Sequence, residues 1–311
     1  MKIILVAPKS ITRHRMSPTP FRFDYAYWNF YLPLQSLGHD VTFFDTSIWG
    51  NQELTELIER LKPDMLFCIM TGDVNYCPQE PWDSIMKETE SGRTLTFNWF
   101  CDDAWRFDSF SKVVCEHFNA VATTDNPDDV HKYEKIGYNN CIFAHWHANV
   151  DAYGGVYSPK TSHLSFIGNP YGERAATFEA LKLAGLKVEH HTGVGFEDMI
   201  WYYSQGLMGL SLSKNSNDES GKLILKARPF EIAAVGTLLV AQNAVGLEEC
   251  FVPNKEVIVF ETIPELVEKC KFLSTKPKIV NQLANAGHRR FLKDHESKVR
   301  LSNLIQEIRK I

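Results

Sequence analysis

The sequence lacks any apolar stretch long enough to cross a membrane. Its longest apolar runs, 3–7 and 65–70, are far shorter than the roughly 20 residues that a spanning helix needs. Met1 and Lys2 lead into one of these runs and then Pro8, which is not the shape of a cleavable signal peptide. Low-complexity tracts and internal repeats are also missing. We therefore expect a globular protein with no membrane span.

Cysteine is present, but not in spacings typical of a zinc site or a disulfide framework. The seven cysteines are an odd number, and no two lie closer than nine residues. Most stand inside apolar runs, as Cys68 does between Phe67 and Ile69, where a free thiol behaves as a small apolar side chain. Such usage is typical of a reducing compartment, so we expect a cytoplasmic protein.

No large segment is strongly basic. The net charge is −5 overall, −8 over residues 1–158, −1 over 159–285 and +4 over 286–311. The acidic first half argues against tight nucleic-acid binding through the bulk surface. With 311 residues, the chain is long enough for about two globular domains.

Short strand-like runs alternate with stretches of helical periodicity along the chain. This alternation predicts parallel sheets covered by helices on both faces, the α/β class with doubly wound domains. Residues 152–161 contain two glycines and a proline and predict a linker between a domain of residues 1–158 and one of 159–285. Residues 279–308 predict one long or broken amphipathic helix. Ligands of such sheets bind beyond the carboxyl ends of the strands, so the residues there are the candidates for function.

The segment from Lys226 to Gly236 carries the clearest anion-binding pattern. Pro229 suits the first position of a helix, which would then begin beside Lys226 and Arg228. A helix N-terminus with two cations suits a diphosphate. Glu231 shares a helix face with Arg228 and is a candidate to accept both hydroxyls of a ribose. The alternative is an Arg–Glu pair on the surface of an amphipathic helix.

A second candidate for diphosphate binding combines Gly168 and Arg174. A predicted strand ends at Gly168, where the missing side chain permits close approach to the backbone, and a loop then brings Arg174 to the start of a helix. The alternative is an ordinary strand–helix turn with an arginine in solvent. No complete G-x-G-x-x-G fingerprint, phosphate-binding G-x-x-x-x-G-K loop or G-x-S-x-G elbow occurs.

Two adjacent carboxylates, Asp102 and Asp103, follow the apolar strand predicted over 94–101. Burial would raise a carboxyl pKa there and Arg106 would lower it, so either aspartate is a candidate general base toward an acceptor hydroxyl. The alternative is a helix N-cap. For the helix predicted over 110–118, however, Asp108 is the more natural cap.

Three residues in polar loops are further candidates for contacts with a sugar or the acceptor. His14 lies in a basic loop after the first strand, and Asn215 and Ser216 follow a strand of the second half. Ordinary solvated loops are the alternative. Two histidine pairs lack carboxylate or cysteine partners at ligand spacing, so no metal site is predicted: His145 with His147, and His190 with His191.

The second half resembles the CgeB-like, spore-maturation-type glycosyltransferases. That family has a K-x-R-x-F-E-x-x-x-x-G pattern and an F-x-G…R element, represented here by Lys226, Arg228, Phe230, Glu231 and Gly236, and by Phe166, Gly168 and Arg174. The resemblance extends over nearly the whole chain, but its specific motifs lie mostly after residue 160. It implies a GT-B fold with two facing Rossmann-like domains, the nucleotide-sugar in the second, and a final helix (286–311) crossing back to the first.

The resemblance also implies roles for the candidate residues. Arg174, Lys226 and Arg228 would offset the charge of the donor diphosphate without a metal, and Glu231 would hold the ribose. A more distant similarity to the phage DNA β-glucosyltransferases, which are also GT-B enzymes, implies an aspartate base at Asp102 or Asp103.

We therefore predict a glycosyltransferase that uses a nucleotide-diphospho-sugar, with a UDP-sugar favoured, and that needs neither a cofactor nor a metal. Inversion is favoured, because the paired-glutamate signature of many retaining GT-B enzymes is incomplete: Leu223 stands eight residues before Glu231. The acceptor stays open between a glycan, a protein and a modified DNA base. The alternatives are a non-catalytic sugar-nucleotide-binding or assembly protein and a viral DNA-base glycosyltransferase.

Overall fold

The computed structural model describes residues 1–9, 24–72, 80–155, 158–214 and 223–311. These residues form two compact α/β units, one of residues 1–145 with 297–311 and the other of 146–296. The sequence placed the division at 158/159 instead of 145/146. The difference arises because Ala148 and Tyr153, in the segment expected to belong to the first domain and the linker, pack in the core of the second unit with Phe230.

The first unit is built on a six-stranded parallel sheet in the order β2-β1-β3-β4-β5-β6. Its strands are β1 (Lys2–Ala7), β2 (Asp40–Asp45), β3 (Met65–Cys68), β4 (Leu95–Trp99), β5 (Ala120–Thr123) and β6 (Cys141–Phe143). Its first helices are α1 (Leu32–Ser36), α2 (Asn51–Leu61), α3 (Trp82–Ser91), α4 (Asp103–Arg106), α5 (Lys112–Val114) and α6 (Val130–Lys135). A π-helical turn, Tyr27–Tyr31, precedes α1, and another, Phe107–Ser111, joins α4 to α5. The central strands are buried, as expected for a parallel sheet covered on both faces.

The second unit contains a five-stranded parallel sheet in the order β11-β10-β9-β7-β8. Its strands are β7 (Ser162–Ile167), β8 (Val188–His191), β9 (Gly206–Ser211), β10 (Leu238–Gln242) and β11 (Ile258–Phe260). Its helices are α7 (Val150–Tyr153), α8 (Glu173–Leu183), α9 (Phe196–Gln205), α10 (Ala227–Val235), α11 (Leu247–Cys250), α12 (Ile263–Ser274) and α13 (Pro277–Asp294). Because β7 and β9 are parallel neighbours, the segments that follow them leave the sheet side by side, at the carboxyl ends of the strands.

The last helix, α14 (Ser297–Ile308), belongs to the first unit, where it packs against α1. The amphipathic stretch predicted over 279–308 is therefore broken, at His295 and Glu296, and the return begins at Ser297 instead of residue 286. The buried face of α14 contains Leu301, Leu304, Ile305 and Ile308. Among the described residues, no helix combines the length and the apolar character needed to span a membrane.

Candidate functional site

Two arginines meet at the carboxyl edge of the second sheet. Arg174 and Arg228 are the second residues of α8 and α10, the helices that follow β7 and β9. Their guanidinium carbons lie 5.5 and 4.7 Å from the ring centroid of Phe166. Both donate to the Leu212 carbonyl at 3.5 Å. Within the described ranges neither arginine forms a salt bridge. Burial and the nearby charge of Arg228 lower the pKa of Arg174.

The two arginines differ in the hydrogen-bond donors that they leave for a ligand. Arg174 is only 8% exposed, and it donates to the carbonyls of Asn169 at 3.0 Å and Lys214 at 3.2 Å. It thus holds the chain segments after β7 and β9 together. Arg228 donates from Nε to the Ile167 carbonyl at 3.2 Å, and no hydrogen bond within the described residues uses its Nη2. The fork of Arg228 therefore keeps N–H groups for a phosphate.

Gly168 lies directly against Arg228. Its φ of +145° is a backbone conformation that side chains disfavour. A Cβ at this position would lie 2.8 Å from Nη2 of Arg228 and 3.3 Å from the ring of Phe166. The backbone conformation therefore requires glycine here, and a Cβ would also displace the end of the Arg228 side chain.

The N-terminus of α10 adds a partial positive charge next to Arg228. The helix begins at Ala227, with Lys226 at the N-cap and no side-chain capping bond. Pro229 is therefore the third helical residue, and its predicted place at the first position is wrong. The third position is also acceptable for proline, because the first N–H groups of a helix have no intrahelical acceptor.

Glu231, one turn into α10, keeps part of its surface exposed and faces Tyr153. The Tyr153 hydroxyl donates to Oε1 of Glu231 at 3.2 Å, and no hydrogen bond within the described residues uses Oε2. Burial raises the pKa of Glu231, while the charge of Arg228 and the bond from Tyr153 lower it. One carboxylate oxygen is thus held and the other remains available to a hydroxyl group.

In the first unit, Asp103 is turned into the interior. Its side chain is completely buried and accepts hydrogen bonds from Ser111 and, at 2.6 Å, from Tyr133. Burial is the largest influence on this carboxyl and raises its pKa. Both oxygens of Asp103 have partners inside the unit, so the geometry gives this residue a structural role and disfavours it as a base toward a ligand.

Asp102 has a different environment, at the end of β4. It is partly exposed and adopts a left-handed backbone conformation with φ of +68°, which is uncommon outside glycine. The helix that was predicted over 110–118 in fact begins at Asp103, with Asp102 at the N-cap, so Asp108 lies inside the helical segment. The side chain of Asp102 makes no capping hydrogen bond. The N-cap alternative therefore holds for the position of Asp102 but not for a capping role of its side chain.

Some predicted site residues lie outside the described ranges. These are His14, Asn215 and Ser216, for which the interpretation from the sequence stays a prediction.

Other residues at the site were not assigned from the sequence. Tyr153 was placed in a linker because two glycines follow it, and His190 was considered only as a metal ligand. No group of three metal-ligating side chains occurs among the described residues.

Comparison with protein families gives a match over residues 148–306, slightly more than half of the chain, to the family described as glycosyl transferase-like. A search of curated proteins found no match.

Solved structures resemble the chain over its whole length. A glycosyltransferase from Rickettsia africae has a TM-score of 0.63 and 11% identity, covering 99% of this chain and 98% of its own. HepE from Anabaena, solved with UDP-glucose, has a TM-score of 0.62 and 10% identity over 100% of both chains. The DNA-modifying enzyme β-glucosyltransferase, solved with and without uridine diphosphoglucose, has a TM-score of 0.63 and 12% identity over 100% of both chains. These similarities identify the fold as GT-B.

Proposed function

The chain belongs to the glycosyl transferase-like family, and we propose that it transfers a sugar from a UDP-sugar to an acceptor hydroxyl. The observation that carries the proposal is the pair of Arg174 and Arg228 at the carboxyl ends of β7 and β9, where neither forms a salt bridge within the described residues. Two neighbouring like charges, one of them buried at Arg174, are costly, and a bound anion offsets that cost. The UDP-glucose bound in HepE and in the β-glucosyltransferase supports a nucleoside diphosphate as that anion.

In the second unit, the donor is held through its diphosphate and through its ribose. Nη2 of Arg228 and the N-terminus of α10 bind the diphosphate, and Gly168 lets it approach the backbone. Arg174 and Lys226 add positive charge. The free Oε2 of Glu231 accepts from the ribose, while Tyr153 fixes the orientation of the carboxylate.

The same groups favour the departure of the sugar. When the bond between the anomeric carbon and the diphosphate oxygen breaks, negative charge accumulates on that oxygen. Positive groups already fixed in place stabilise this charge without reorganisation. The arginines and the helix N-terminus can supply this stabilisation, which is why we propose a metal-independent reaction.

In the first unit, we propose Asp102 as the general base. It would take the proton of the acceptor hydroxyl as the hydroxyl oxygen attacks the anomeric carbon and the diphosphate leaves with the bonding electrons. Direct attack of this kind inverts the anomeric configuration. The burial and internal hydrogen bonds of Asp103 favour Asp102 for this role.

The test is release of nucleoside diphosphate by the full chain from a panel of UDP-sugars. Each donor is offered alone and with glycans, hydroxyl-bearing peptides or DNA with hydroxyl-bearing bases, and the anomeric configuration of any product is read by NMR. We expect turnover with one donor and one acceptor class, and its loss in Asp102→Asn. Tight UDP binding without turnover on any acceptor would instead favour a non-catalytic sugar-nucleotide-binding protein.

A further inference from the structure

Three successive carbonyl groups at the end of β7 are each held by a side chain from a different element. The pairs are Ile167 with Arg228 Nε (3.2 Å), Gly168 with His190 Nε2 (2.8 Å) and Asn169 with Arg174 Nη1 (3.0 Å). The two arginines already belong to the proposed donor site. His190, in β8, has no role in that site so far.

The surroundings of His190 fix its ring in position for this bond. The ring lies 4.8 Å from that of Phe178, at an interplanar angle of 30°, and 5.9 Å from that of Phe166. Because a carbonyl oxygen only accepts, Nε2 of His190 carries the hydrogen. Gly168 is tied to β8 a second time, since its N–H donates to the His191 carbonyl at 2.9 Å.

We propose that His190 is a positioning residue for donor binding, acting through the Gly168 carbonyl. This inference rests on the proposed function. Glycine offers little resistance to rotation of its neighbouring peptide groups, so the turn after β7 needs an external restraint. The 2.8 Å distance between a Cβ at Gly168 and Nη2 of Arg228 shows how close this backbone lies to the free N–H groups. If the Gly168 carbonyl rotated toward Nη2 of Arg228, it would compete with a phosphate for these N–H groups. The hydrogen bond from His190 to this carbonyl prevents that rotation.

The test compares His190→Leu, His190→Gln and a matched control, His163→Leu, in the full chain. Leucine keeps apolar volume against Phe178 but removes the donor, whereas glutamine offers an amide N–H to the same carbonyl. His163 stands near the start of β7, where its Nδ1 accepts from the Lys187 N–H at 2.9 Å. The His163→Leu control therefore also removes one hydrogen bond between a histidine ring and the backbone. This bond lies beside β7 and β8 too, but at the opposite end of these strands from Gly168.

Two readouts are taken: amide hydrogen exchange over residues 168–172 without ligand, and the Kd for UDP by titration calorimetry. In His190→Leu we expect faster exchange in this turn and a Kd about two- to tenfold higher, the worth of one hydrogen bond. In His190→Gln we expect most of both losses to be recovered, and in His163→Leu we expect neither loss.

Unchanged exchange in His190→Leu, or equal effects in the His163→Leu control, would overturn the role of His190. Faster exchange with an unchanged Kd would also overturn it as a positioning role, leaving only a structural one. A wild-type chain that binds no nucleotide overturns the proposed function, and the exchange measurement still decides whether His190 holds the turn.

Discussion

Replacing Arg228 by alanine removes the group on which the proposed donor site depends most. Inside the protein, the substitution breaks the hydrogen bonds to the carbonyls of Ile167 and Leu212, at 3.2 and 3.5 Å. It also ends the repulsion by Arg228, which together with the larger effect of burial lowers the pKa of Arg174. These effects oppose each other, so we expect the free energy of unfolding to fall by only about 1–2 kcal/mol, and the variant to remain folded.

The loss of ligand binding should be larger than the loss of stability. A charge-assisted hydrogen bond from the Nη2 group to a phosphate is worth about 1.5–3 kcal/mol. At about 1.4 kcal/mol per factor of ten, the Kd for UDP should rise roughly ten- to a hundredfold. Arg228→Lys should have an intermediate effect, because an ammonium group keeps the charge but lacks the planar fork.

Titration calorimetry with UDP on the full-length variants measures this directly. Arg290→Ala is the matched control, because Arg290 also donates to two backbone carbonyls, those of Cys250 and Glu249, at 3.0 and 3.1 Å. We expect this control to bind UDP as the wild type does. A folded Arg228→Ala variant whose Kd stays within about twofold of the wild-type value would refute the assignment of Arg228 to the diphosphate.

Four other substitutions test the remaining site residues. Glu231→Gln should weaken UDP binding yet raise the Tm at neutral pH. Burial raises the pKa of Glu231, so the protonated carboxyl contributes stability that is present below the unfolded pKa near 4.5 and is lost as the pH rises through the folded value. The neutral glutamine does not lose this stability at pH 7. A pH series of melting curves in which the variant gains nothing at pH 7 would contradict this. Asp102→Asn should lower kcat by about a hundredfold or more. Asp103→Ala should lower the free energy of unfolding by about 2–3 kcal/mol, because the Ser111 and Tyr133 hydroxyls lose their acceptor. Gly168→Ala should lower the Tm, because a φ of +145° is strained for alanine, and should lower the affinity for UDP, because the Cβ would displace Nη2 of Arg228. An alanine variant with wild-type melting and binding would be incompatible with this geometry.

Much of the fold could be predicted because buried parallel strands are continuous apolar runs. The apolar runs 3–7 and 65–70 coincide with the strands β1 (Lys2–Ala7) and β3 (Met65–Cys68). Helix boundaries were harder to predict. The segment from Asp103 to His117 is a series of short α, π and 3-10 pieces, which follow no single periodicity. Tyr153 was missed because its partners Glu231 and Phe196 are distant in sequence and only the fold brings them together.

The candidate site was predictable in its composition but not in its detailed contacts. The sequence placed Gly168, Arg174 and Arg228 after strands, and the structure brings them together because β7 and β9 are neighbours in the sheet; their roles in binding stay predictions. The sequence did not distinguish Arg174, which is engaged by backbone carbonyls, from Arg228, which retains donors, because the carbonyls that Arg174 binds belong to two separate loops. Likewise, the sequence does not distinguish Asp102 from Asp103; in the structure Asp102 has a left-handed backbone conformation, and Asp103 is turned into the interior.

The central claim, that the second unit binds a nucleoside diphosphate of a sugar donor, is tested most directly by the melting temperature of the wild-type chain. UDP, GDP, TDP and CMP, and the corresponding nucleotide-sugars, would each be added in large excess. A ligand at about one hundred times its Kd adds about 2.7 kcal/mol of stability, which gives a clear rise in Tm. We predict this rise with UDP and a UDP-sugar and a smaller one or none with CMP. A folded chain whose Tm is unchanged by every nucleoside diphosphate and nucleotide-sugar would contradict the claim.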